Sequence, residues 1–263
     1  MITKRLPKRL AHGEEATLVE HLGELRTRLV IALFAIVPAF AVSFAFHEQL
    51  IDWLTNPLPD DKSLVTLGVT EPFTTAVKVS LAAAVAITLP ILLYQLWSFM
   101  APAIEEHTQR VVSVFVVFST ILFAGGVAFS YWIVLPRALS FLTNFGADQF
   151  EIDIRAAYYF SFVTVTLLAS GLAFQMPIFI LALVRLRVLT AAKLRGNRRL
   201  GYVLMIVFAV LLPTVDPVSL ALEVAPLLIL FELSIWLSSF MEKRWKLDPN
   251  AEGGFEGVFR DRE

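Results

Sequence analysis

Four stretches of this chain, 29–46, 76–97, 111–135 and 158–186, each run for 18 or more residues with no more than one charged side chain. No other feature restricts the fold as strongly. Runs of that length match a bilayer hydrocarbon core of about 30 Å, which takes about 20 residues of helix. Within hydrocarbon every backbone N–H and C=O has to be satisfied inside the segment, which a helix achieves and an isolated strand does not. The chain therefore reads as an all-α, polytopic membrane protein. Of its 263 residues 57% are hydrophobic and 17% charged, a balance that a soluble exterior does not accommodate. The polar head 1–28 precedes the first apolar run, so no cleavable signal peptide is expected and that run reads as a retained span.

Two further apolar runs follow, 200–213 and 218–237, separated by the turn "PTVDP". The first has 14 residues, or roughly 21 Å as a helix, too short to cross comfortably. Six transmembrane helices are expected, the last two short and thinning the bilayer or sheltering behind the others. Lys and Arg in alternate connections set the orientation, because positive segments stay cytoplasmic. The head, Arg110, the segment 185–199 and the tail hold 18 of them, and the opposite side only Lys62, Lys78, Arg137 and Arg155. This predicts both termini inside, with a cytoplasmic head (1–28), a six-helix membrane domain (29–240) and a cytoplasmic, disordered tail (241–263). The outer connections are long enough to form a cap of short helices.

The composition narrows the function classes. The formal net charge is −1, so no global field points to nucleic acid. Cysteine is absent, which removes thiolate metal sites. None of His12, His21, His47 and His107 falls inside an apolar run, and "HEQL" at His47 lacks the second histidine of a zincin. No metal, cofactor or enzymatic activity is expected. A small-solute secondary transporter is the alternative, with Gln175 in its substrate site, but it calls for internal repeats that the chain lacks.

The head ends in "VEHLGELRTRL" (19–29). Thr17 and Glu20 have capping-box spacing, and Leu18, Leu22, Leu25 and Leu29 make a narrow apolar stripe on the helix that follows. At 100° per residue from Leu18, Glu24 falls at about 240° and Arg26 at about 80°. Glu24 is thus expected to face water and Arg26 to border the stripe. The plainer reading is an interfacial helix with a Glu24–Arg28 pair at i, i+4.

"HLGELRTRL" (21–29), "TEPF" (70–73) followed by Lys78, "LPILLYQLWSFMAPAI" (89–104), "GLAFQMP" (171–177) and "DP" (216–217) before a final run together resemble the TatC family, the multispanning core of the twin-arginine protein translocase. The resemblance implies a concave six-helix bundle in the cytoplasmic (inner) membrane. It would bind twin-arginine signal peptides of folded cargo and recruit single-span TatA and TatB partners and copies of itself. Export would draw on the proton motive force, with no cofactor. Glu24, Arg26 and Leu29 match the family's functional head positions, and Phe99 falls in a matching block at the membrane boundary. A carboxylate suits the task because it takes guanidinium through charge-assisted, often bidentate bonds, a fork that lysine does not offer. Pro57, Pro72 and Pro90 match structural prolines, and Asp216 is placed to cap the final helix.

Two positions depart from the family pattern. A second recognition glutamate is expected where this chain has Thr108, and Glu105, one turn earlier, is the expected substitute; Glu105 and Glu106 are otherwise ordinary first-turn acids. The resemblance implies that relatives typically place a glutamate where this chain has Gln175, so a proton relay there is not available. Gln175, in a strip with Ser161, Thr164 and Gly171, either bonds a neighbouring span or draws water in, or serves as plain helix–helix glue. Val210, Thr214, Ser219 and Leu220, around the last turn, are the expected docking edge for single-span partners.

Overall fold

The computed structural model describes residues 18–100, 108–150, 152–213 and 216–244. The chain runs through α1 (Leu18–Ala45), α2 (His47–Thr55), β1 (Leu64–Val65), α3 (Glu71–Met100), α4 (Thr108–Phe129), a π-helical turn (Ser130–Val134), α5 (Leu135–Asn144), β2 (Ile154–Arg155), α6 (Ala156–Ala173), α7 (Met176–Arg185), α8 (Ala191–Gly196), α9 (Arg198–Val210) and α10 (Pro217–Arg244). Among the described residues five helical segments are long and apolar enough to cross a membrane: Gly23–Ala45, Glu71–Phe99, Ser113–Asn144, Ala156–Arg185 and Pro217–Glu242. The helix α9, with 13 residues, spans only about 20 Å.

The four long apolar runs all become membrane-length helices, and the short fifth run becomes the short α9. The last helix corrects the sequence reading. It has 28 residues and is not short, because it continues past the apolar run through Ser238, Ser239 and Glu242. Ser238 and Glu242 are buried, so those polar residues belong to a packed face instead of marking the end. The expected cap at its start is present, with the Asp216 carboxylate accepting from the Ser219 amide at 2.8 Å.

Both described chain ends lie at one face of the bundle, here the near face. There Trp97 of α3 packs in one cluster with Leu181 and Ala182 of α7 and with Leu237 and Met241 of α10, and Arg28 of α1 reaches the carbonyl of Ser98. At the far face the outer connections do form short helices, α2 and α5, with β1 and β2 paired in parallel as Leu64 with Ile154 and Val65 with Arg155. Two tyrosines pin α2: the hydroxyls of Tyr131 and Tyr159 donate to the carbonyls of Trp53 and Leu54 at 2.7 and 2.8 Å. The Trp53 and Tyr131 rings stack at 4.0 Å.

Close backbone approach decides where α4 crosses α6. A Cβ at Gly126 would lie 2.8 Å from the Ser170 carbonyl and 3.0 Å from the Gly171 Cα, and one at Gly171 would lie 2.5 Å from the Phe123 ring. Only glycine fits both positions, the small-residue contact that lets membrane helices pack without a hydrophobic drive between them. Pro90 sits inside α3, and Pro72 in its first turn. A proline costs no hydrogen bond in the first turn, whereas Pro90 has no N–H to donate to the Ala86 carbonyl one turn back.

Candidate functional site

At the near face the end of α1 is seated on the end of α3. Glu24 and Arg28 form the pair that their spacing predicts, with Arg28 Nε donating to Glu24 Oε1 at 3.0 Å and Nη2 to the same oxygen. The guanidinium also reaches across to α3. Nη1 donates to Gln95 Oε1 at 3.3 Å and to the Gln95 carbonyl at 3.5 Å, and Nη2 to the Ser98 carbonyl at 3.1 Å. These carbonyls belong to the last turns of α3, the negative end of its dipole.

This corrects the expected direction of Glu24. It faces α3 and is half-buried beside Arg28, while Leu25 and Leu29 of the leucine stripe point the other way, 36% and 61% exposed. In a bilayer an apolar face is satisfied by lipid, so the polar and small residues turn inward. Glu24, Arg28, Ala32, Ile36, Ala39 and Ser43 are among the less exposed positions of α1, at helical spacing. Arg26 is exposed and lines a shallow concavity with Leu25, Leu29, Val30 and Leu33. The structure thus separates Arg26 and Leu29 from Glu24. Phe99 is half-buried in the last turn of α3, next to the residue whose carbonyl takes Arg28. Thr108 opens α4, and Glu105, like the Thr17 cap and the tail beyond Arg244, lies outside the described residues; 241–244, expected to begin a disordered tail, continue α10 instead.

Inside the bundle Gln175 is 1% exposed. It occupies the junction between α6 and α7, with Pro177 in the first turn of α7. Its Nε2 donates to the Ser119 carbonyl at 2.9 Å, and the Ser119 hydroxyl accepts from Trp97 Nε1 at 3.2 Å. Gln175 therefore bonds a neighbouring span, linking α7, α4 and α3. Thr164 and Gly171 of its strip are buried, and Ser161 half-buried. A second buried polar contact, Ser170 donating to Glu223 at 3.1 Å, joins α6 to α10.

Around the last turn Val210 is exposed and Leu220 half-buried, packed beside Ala173, Ala209 and Leu227. Ser219 is buried and so forms no part of an exposed edge, because its place in the first turn of α10 turns it inward. Thr214 lies outside the described residues.

Sequence reasoning missed two features. Glu71 is 4% exposed and accepts four hydrogen bonds from three donors: the amides of Leu67 and Ala157, each at 3.0 Å, and Arg155 Nε at 3.2 and 3.1 Å from its two oxygens. It clasps the start of α3 to the start of α6, and Pro57 lies half-buried in the same far-face cap. A lone carboxylate opening an apolar helix was the available signal. The bridge from Arg28 to α3 left no signal, since its acceptors are mostly backbone.

A family model described as Sec-independent protein translocase protein (TatC) matches residues 20–226. The chain is 36% identical over 238 residues to Sec-independent protein translocase protein TatCd of Bacillus subtilis (strain 168), covering 90% of this chain and 98% of that protein. To Sec-independent protein translocase protein TatC of Helicobacter pylori (strain J99) it is 33% identical over 230 residues, 88% of this chain and 92% of the other. Among solved structures it is similar to a crystal structure of the twin arginine translocase receptor TatC in DDM, with a TM-score of 0.73, 35% identity and coverage of 83% and 99% of the two chains.

Proposed function

The chain belongs to the TatC family, and from that premise we propose that it is the receptor subunit of a twin-arginine protein translocase, taking the paired arginines of signal peptides on folded cargo. The near face is the cytoplasmic one, since the segments there hold most of the Lys and Arg. With α9 as a sixth, short span, both termini lie inside and the protein is a multi-pass component of the inner membrane. TatA-type and TatB-type single-span proteins are its partners, and the proton motive force drives export.

The observation that carries this reading is the Glu24 carboxylate. It sits at the near face, on the shared end of α1 and α3, about one-third exposed, where a guanidinium arriving from that side meets it. In the purified chain, a twin-arginine signal peptide carrying a crosslinker beside its arginines should be captured within 24–29 or at Phe99. Its twin-lysine control should be captured far less. Equal capture of both peptides rules the reading out.

A further inference from the structure

Arg28 has five N–H donors, and the structure gives it five contacts: two to Glu24 Oε1, two to Gln95 and one to the Ser98 carbonyl. Three of the five run to α3. The guanidinium is also the more enclosed partner, its side chain 18% exposed against 34% for Glu24. Arg28 is therefore fixed by α3, and Glu24 is held by Arg28. Both contacts to the carboxylate fall on Oε1, and among the described residues no donor reaches Oε2.

We propose that Arg28 is a positioning residue for recognition, anchoring Oε1 of Glu24 so that Oε2 is presented in a fixed plane to the incoming guanidinium, two guanidiniums thereby sharing one carboxylate. The inference rests on the reading of Glu24 as a recognition acid. Two consequences separate it from a purely electrostatic role. Arg28 offsets the charge of Glu24, so by charge alone it opposes any cationic ligand. By orientation it favours a planar guanidinium over an ammonium, because only the guanidinium needs the carboxylate held in register. Arg28 thus trades general attraction for discrimination between arginine and lysine.

The test measures affinities of the purified full chain, in detergent at fixed salt, for a twin-arginine signal peptide and its twin-lysine control. Arg28→Gln should weaken twin-arginine binding by about tenfold, the low end of what a charge-assisted hydrogen bond is worth. It should leave twin-lysine binding unchanged or tighter, so that the ratio of the two affinities falls. Arg28→Lys, which keeps the charge without the fork and perturbs folding least, should lower the ratio as well. Tighter binding of both peptides to Arg28→Gln makes Arg28 a competitor and overturns the inference. Parallel losses of both peptides make its role merely structural, and wild-type ratios in both variants give it no role; either result overturns the inference. Glu24→Gln is measured alongside: if it binds both peptides like wild type, the recognition reading fails, an outcome distinct from failure at Arg28 alone.

Discussion

What a carboxylate in this bundle does depends on how many of its oxygens are already taken. Both oxygens of Glu71 are occupied, by two backbone amides and Arg155, so it has nothing to offer a ligand and acts as a clasp. Glu71→Ala leaves the Leu67 and Ala157 amides without their partner at about 1–3 kcal/mol for each that stays buried, and a lowered unfolding temperature in detergent would show it. Glu24 keeps one oxygen open, and its pairing with Arg28 cancels much of its charge. A second acid is then needed for two arginines, and Glu105 is proposed for that place. Glu24→Gln and Glu105→Gln should each weaken twin-arginine peptide binding by roughly 1.5–3 kcal/mol. The double variant should lose less than the sum if both acids share the ligand, and Thr108→Glu should restore much of what Glu105→Gln removes. Wild-type affinity in Glu105→Gln, beside a loss in Glu24→Gln, means that one acid suffices. The Glu24–Arg28 pair was legible from its spacing, whereas the Glu71 clasp was not, because its Arg155 and Ala157 partners lie 84 and 86 residues away.

Between elements, the helix periods told which residues share a face but not which face turns inward. The stripe of Leu25 and Leu29 was visible in sequence, yet the structure leaves it outward and packs Glu24, Arg28 and Ala32 toward α3. The rule that apolar faces seek the core assumes water outside, and lipid removes that preference. The length of α10 was misjudged for a related reason, since Ser238 and Glu242 looked like an end and are buried contacts; Glu242 accepts from the Ala191 amide at 2.7 Å, tying α10 to α8. The adjacent glycines 125 and 126 look alike in sequence, and nothing there marks either as a helix contact. The structure separates them. A Cβ at Gly126 would meet α6 backbone within 3.0 Å, and one at Gly125 would meet nothing within 4 Å. Gly126→Ala should cost about 1–3 kcal/mol through overpacking against atoms that cannot rotate away. Gly125→Ala should be neutral or slightly stabilising by helix propensity. Thermal unfolding of the two variants in the same detergent decides it, and equal stabilities would move the crossing point elsewhere.

For the molecule as a whole, two independent lines bear on how it sits in a membrane. The charge split reads from sequence, and the placement of α1 and α10 at one face reads from contacts. Since the chain has no cysteine, single cysteines report sidedness without background: Asp61 and Asp148 should label with an impermeant reagent from outside intact cells and Gly196 should not, and labelling at Gly196 would invert the proposed topology. The same frame bears on the proposed partner edge. At about 20 Å, α9 falls short of a hydrocarbon core of about 30 Å, so its far end, with Val210 and Leu211 at 57% and 76% exposure, lies where the bilayer has to thin or another protein has to cover it. Thinning costs a fraction of a kcal/mol per Å of mismatch, a cost that a single-span helix docked along α9 relieves. Ser219 is buried and contributes nothing to that edge, while Val210 faces it directly and Leu220 lies at its margin. A photocrosslinker at Val210 should therefore capture a TatA-type or TatB-type helix in membranes containing the partners, with weaker capture at Leu220. A probe at Phe118, exposed on α4, should capture lipid. The reverse pattern, lipid at Val210 and partner at Phe118, would place docking on α4 and leave the short helix to be accommodated by the bilayer alone.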